Sequence, residues 1–169
     1  LLARVDKVAQ GAAIMTETTY TCRQIDGTSD TVSNTVLEKL LYENLQQAPL
    51  PTYTAEEEAF AAALKETFGE ASVPGVGCKF DRVVKAKVSK LTDGGKLPLN
   101  NFIMPYVPTN YMSPGSTDVG DVSWLTPTAQ FNAATWVSGS PGHSWQNVST
   151  GKTSIAHKGL LFAAKVLAA

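Results

Sequence analysis

Apolar residues in this chain recur in two periods, and that mixture constrains the fold more than any other feature. Four stretches place them at helical spacing and three place them at alternate positions, so helices and strands are both expected. In the first helical stretch, Leu1 to about Ile14, the repeat is Leu1, Leu2, Val5, Val8, Ala9 and Ala12. In Ser33 to Gln47 it is Val36, Leu37, Leu40, Leu41 and Leu45, with Ser33 or Asn34 available as the cap and "APLP" as the stop. The third helix opens on Thr54, followed three residues later by Glu57. This is the capping-box spacing, in which hydroxyl and carboxylate each accept a bond from an unpaired backbone amide. Its buried stripe is Phe60, Ala63, Leu64 and Phe68, and Gly69 is the expected C-terminal cap. Thr153 or Ser154 caps a last helix, Ile155 to about Ala168, whose Leu160, Leu161, Ala164, Val166 and Leu167 predict close packing.

The period-two stretches predict strands. In Thr16 to Asp26, Tyr20, Cys22 and Gln24 alternate with Thr19, Thr21, Arg23 and Ile25. Val84, Ala86 and Val88 alternate with Lys85, Lys87 and Ser89, which reads as a short strand with one solvated face. Phe131, Ala133, Thr135 and Val137 alternate with Gln130, Asn132, Ala134 and Trp136, which reads as a largely buried strand. Between these lie turn-rich connectors, among them "ASVPGVGC" and the long loop "DGGKLPLNNFIMPYVPTNYMSPG". The expected fold is therefore α/β, in two pieces joined by "DGTSDTVSN". Residues 1–28 form the tail of one α/β unit, and 29–169 form much of a second.

Composition narrows the partners. A formal charge of -1 gives no reason to expect nucleic acid or an anionic membrane. No apolar run approaches the roughly 18 residues that span a bilayer. Cys22 and Cys78 are far apart and form no CxxC, so a reducing, cytoplasmic setting is the default. "LLARVDK" has no initiator Met and no signal-peptide features, and it reads as mid-helix. The chain is accordingly expected to begin inside a domain. "NVS" at Asn147 to Ser149 fits a glycosylation sequon but has no secretory context.

Two places carry residue types suited to chemistry. His143, in "SGSPGHSWQ", follows a predicted buried strand. A sheet can fix such a loop while exposing its imidazole, although an ordinary surface histidine fits the pattern equally. In "PGSTDVGDVSW", Asp118 and Asp121 stand three apart behind Gly115, Ser116 and Thr117. They serve either as helix caps or as part of a pocket for a substrate carboxylate. His157, beside Lys158 in the last helix, reads as a packing or surface residue. Other motifs fail on spacing. "STGKTS" lacks the leading glycine of a phosphate-binding loop, no GxSxG elbow occurs, and "GVG" at Gly75 to Gly77 is too short for a dinucleotide fingerprint. A zinc site needs three or four protein ligands, and the chain offers no HxH or HExxH.

The run "GSTDVGDVSWLTPTAQFNAATWVSGSPGHSWQ" with "AHKGLLFAAKVLA", and the upstream "VDKVAQGAAIMTETTYTCRQIDGTSDTVSNTVLEKLLYENL", resemble M20 metallopeptidases and amidohydrolases of the aminobenzoyl-glutamate hydrolase B type. The resemblance implies the C-terminal portion of a zinc-peptidase-like catalytic domain, a mixed sheet flanked by helices. Residues 1–28 would end an inserted lid or dimerisation domain. It implies a metal-dependent amidohydrolase cleaving an N-acyl amino acid or an aminobenzoyl-glutamate-like amide. Zinc or manganese would be bound in the full-length protein and none tightly here. A small-molecule amide would be the substrate, with a homodimer or a second subunit in the full-length protein. His143 matches the family's late metal-ligand histidine, and Gly115, Ser116, Thr117 and Asp118 match its pocket-shaping segment. The earlier metal ligands and the general-base glutamate have no match, so no catalytic residue is expected in this chain and it is expected to be inactive alone. The alternative is a non-catalytic structural or interaction module that keeps part of the fold.

Overall fold

The computed structural model describes residues 1–68, 82–107 and 117–169. Within them all regular structure is helical: α1 Leu2–Met15, α2 Thr35–Gln47, α3 Ala55–Lys65, α4 Arg82–Leu91, α5 Val119–Leu125, α6 Trp145–Gly151 and α7 Ser154–Ala168. The α/β expectation is overturned, because no strand occurs among the described residues and so no mixed sheet is present there.

Each predicted strand fails for its own reason. Val84 to Val88 lie inside α4. The alternation there is three residues long, and the Lys and Ala between them are strong helix formers. Thr19 to Ile25 and Phe131 to Val137 are non-helical, yet no neighbouring chain segment among the described residues supplies the ladder that would make them strands. The second of these stretches is pinned at points instead. A Cβ on Gly159 would lie 2.1 Å from the Ala134 carbonyl oxygen, so α7 admits this segment only because position 159 has no side chain. The Ser138 amide donates to Pro98 O at 2.8 Å, and Lys65 Nζ donates to Ser138 O at 2.7 Å.

The core gathers at the start of α7. Ile155 and Ala61 are fully enclosed, Leu64, Leu99 and Val137 join them, and Tyr53 and Phe68 pack around the edge. Burial of each large aliphatic side chain contributes about 1.5–3 kcal/mol, which locks α3, α7 and the two irregular segments together. Farther along α7, Phe162 and Val166 are buried, while Leu160, Leu161 and Leu167 face outward. The expected stripe on this helix is thus rotated, with Ile155, Ala156, Gly159, Phe162 and Val166 forming its inner face. Helices α2 and α6 both pack on α7. Asn44 Nδ2 bonds Val166 O at 3.3 Å, and Tyr106 OH bonds Glu38 Oε2 at 3.0 Å.

Helix α6 has no counterpart in the apolar periodicity. Ser144 starts it by accepting from the Asn147 amide at 3.4 Å. The expected caps of α2 and α3 are present: Asn34 Oδ1 accepts from Leu37 N at 3.0 Å, and the reciprocal Thr54–Glu57 box is complete. Gly69, the expected end of α3, lies outside the described residues. The joining loop is not slack. Its Ser29 and Val32 amides donate to Asp121 Oδ1 and Ser123 Oγ, and Trp124 Nε1 donates to Asp30 O, which fixes residues 29–32 on α5. A Cβ on Gly120 would sit 2.0 Å from Ser29 O, so this approach too needs a glycine.

No residue of α1 is buried; the same is true of α2, but α2 packs on α7. α1 ends where the Thr18 amide bonds Ala13 O at 2.9 Å, with Glu17 at φ 53 turning the chain. The chain then doubles back, and Tyr20 OH reaches Asp6 Oδ1 at 2.7 Å.

Candidate functional site

Of the expected site residues, Thr117, Asp118 and His143 are exposed. His143 stands exposed in the turn before α6 at φ 54, a left-handed conformation that a side chain disfavours. Neighbouring Ser144 is committed to the helix start, since its hydroxyl also donates to Pro141 O at 2.7 Å. Gly115 and Ser116 lie outside the described residues. Thr117 and Asp118 open α5, but the Asp118 carboxylate makes no capping bond. The Val119 amide instead reaches Thr117 Oγ1 at 3.4 Å. Asp121 has a structural task. The Ser29 hydroxyl and amide bond its carboxylate and hold it below the usual carboxylate range. His157 is exposed on α7. Among the described residues no three His, Cys, Asp or Glu side chains come close enough to hold a metal ion. The hydrolytic, zinc-binding reading is corrected on that ground and by the missing sheet. A metal needs converging ligands, and a catalytic domain of the implied kind needs strands to aim them.

The structure does assemble a polar centre that the sequence did not reveal. Glu57, nearly buried, accepts from the Thr54 amide at 2.7 Å, from Ser154 Oγ at 2.5 Å and from Lys158 Nζ at 2.6 Å. It sits where the first turns of α3 and α7 meet, at the floor of an open cleft of about 550 Å³. The Lys158 ammonium, then the Ser154 hydroxyl, then the Thr54 amide hold its carboxyl down at about 2. Burial, and next the Glu57 charge, push the Tyr53 phenol up. Lys158 also stands 5.6 Å from the Tyr53 ring centre. The cluster has the residue types of a nucleophile with its base, but the Glu57 carboxylate already accepts from Thr54, Ser154 and Lys158, and Lys158 is its counter-ion. Its work is to clasp α3 to α7. The Thr54-x-x-Glu57 spacing showed half of this arrangement, whereas nothing in the sequence signalled partners about 100 residues away.

Among the described residues, these observations define helices packed around a shared core, an ion pair between α3 and α7, and no cluster that could hold a metal ion. No family model matches the chain, and no solved structure matches it. A curated relative does. The chain is 39% identical over 173 aligned positions to the B-type subunit of p-aminobenzoyl-glutamate hydrolase from Escherichia coli (strain K12). The alignment takes in 98% of this chain but only 35% of that protein. The chain is therefore homologous to M20-like aminobenzoyl-glutamate hydrolase B proteins, and it spans about a third of that relative's length.

Proposed function

We propose that this chain is a non-catalytic structural and interaction module, keeping part of a larger protein's architecture without its chemistry. One observation carries the reading. α1 buries nothing, and it exposes Leu1, Leu2, Val5, Val8, Ile14 and Met15, each by more than half of its surface. Leu1, Val5, Val8 and Met15 share one side of the helix, and an exposed apolar side of this kind is a docking surface. The relative's designation as a subunit supports association with another polypeptide, either a second copy or a different chain. The proposed division places residues 1–28 as the docking piece and 29–169 as the packed body. In support, residues 29–32 are bonded to α5, whereas Tyr20 bonds back to α1.

No helix of the described residues is long and apolar enough to cross a membrane. The cytoplasmic setting is proposed from the exposed thiol of Cys22, which a reducing compartment keeps free. A divalent metal, zinc or manganese, enters only as something held elsewhere in a full-length protein. His143 would be presented to it as a single ligand, and Gly115, Ser116, Thr117 and Asp118 would border the same place. The exposed, left-handed turn at His143 supports that residue's part.

The decisive experiment incubates the 169-residue chain with zinc or manganese and aminobenzoyl-glutamate or N-acyl amino acids. The expected result is no turnover above buffer, together with reversible, concentration-dependent association that Val8→Asp weakens. Metal-dependent hydrolysis by this chain overturns the reading.

A further inference from the structure

We propose that Asp26–Gly27 is a self-modifying site, at which the Gly27 amide nitrogen attacks the Asp26 carboxyl and the main chain is rebuilt as isoaspartate. The chemistry is intramolecular and does not depend on the interaction-module reading.

The reaction needs a carboxyl carbon beside a free, unshielded amide nitrogen on the following residue. Glycine is the successor that best allows it, because it has no Cβ to crowd the nitrogen or restrict the backbone. The chain has two such pairs, Asp26–Gly27 and Asp93–Gly94, and no Asn-Gly pair. At the first, the side chain is already turned onto the nitrogen: Gly27 N donates to Asp26 Oδ1 at 2.7 Å. The carboxyl carbon, one bond from that oxygen, stands beside the nitrogen it must join, as in a near-attack conformer. Both residues are exposed, and a Cβ on Gly27 would meet nothing within 4 Å. From Thr19 to Thr28 no other backbone amide or carbonyl bonds a described residue. The amide is thus open to deprotonation by water, and the backbone is free to turn into a ring.

Asp93–Gly94 has the same residues in the opposite setting. It closes α4 in a left-handed turn, with Asp93 at φ 48 and Gly94 at φ 64. The Gly94 amide donates to Ser89 O at 2.7 Å, and the Gly95 and Lys96 amides donate to Thr92 O and Asp93 O. Cyclisation there must first break the turn.

The step balances without a co-reactant. Deprotonated Gly27 N bonds to Asp26 Cγ, and a carboxyl oxygen leaves as water, closing a succinimide ring. Water then adds to one of the two ring carbonyls. Attack at Cγ restores aspartate. Attack at the Asp26 main-chain carbonyl carbon leaves Gly27 joined through Cγ, so the main chain gains the side-chain methylene and the α-carboxylate is set free. One water leaves and one returns. The added carbon falls between Tyr20, tied to Asp6, and Ser29, tied to Asp121. Between them no backbone bond to another described residue stands to be broken except that of Gly27 itself, so isoaspartate builds up in folded protein.

Ageing the 169-residue chain at neutral pH for weeks, in buffer and in concentrated urea, tests the site, with isoaspartate located by electron-transfer fragmentation of its peptides. In buffer, isoaspartate at 26 should accumulate at least about ten-fold faster than at 93. In urea, where the turn after α4 is lost, the two rates should converge. Asp26→Glu, whose carboxyl would have to close a larger ring, should abolish the modification there and leave helical circular dichroism unchanged. No isoaspartate at 26 in buffer, or equal rates at 26 and 93 in buffer, overturns the proposal. A contrast that persists undiminished in urea also overturns it, because neighbouring residues rather than the fold would then set the rate.

Discussion

Glu57 combines a local role that its sequence shows with a distant one that it conceals. The capping box with Thr54 is written in four consecutive residues, and it forms as the spacing requires. The bonds to Ser154 and Lys158 depend on α7 arriving at the same point. A folded-state value of about 2 against an ordinary 4.5 means that ionised Glu57 stabilises the fold. Its contribution is complete above about pH 4.5 and is lost as pH falls toward 2. Glu57→Gln should lower the unfolding free energy at pH 7 by roughly 1–3 kcal/mol. It should also flatten the decline of stability between those two pH values, as read by urea unfolding over the acid range. His143 marks the reverse limit at this scale. Its loop was readable, but the described residues form no group of three ligands that could hold a metal ion.

At the scale of elements, helices with an encoded start were legible and strands were not. α2 and α3 carry their caps in the sequence, and α7 carries a long apolar run, so each starts within two residues of its expected place, although α3 ends at Lys65, short of the expected Gly69. A helix closes its hydrogen bonds within itself, whereas a strand borrows them from a neighbour. For that reason alternation in Thr19–Ile25 and Phe131–Val137 predicts a capacity that the described residues do not satisfy. Glycines are the less visible element-scale determinants. Gly159→Ala would drive a methyl against the Ala134 carbonyl, and the expected cost is about 1–3 kcal/mol with loosening of the 131–137 segment. Gly11→Ala in α1, where nothing lies within 4 Å, should be neutral or gain up to about 1 kcal/mol. Thermal melts of the two variants in parallel check the contrast, which local sequence does not distinguish.

For the whole molecule, the body is the packing of α2, α3, α6 and α7 with the irregular segments pinned between them. The bonds that residues 1–27 make with described residues stay within that stretch. Removing residues 1–27 should therefore leave the unfolding free energy of the remainder, read by urea titration, unchanged within about 0.5 kcal/mol, while abolishing association. A large loss of stability would show that α1 belongs to the body. The sequence by itself determined the helix caps of α2 and α3 and kinship with the B-type aminobenzoyl-glutamate hydrolases, because these are written in local spacing or in long identity. Only the tertiary structure decided that the alternating stretches find no ladder among the described residues, and that Glu57 clasps α7. Each of those depends on which distant residues meet, and the local pattern carries no information about that.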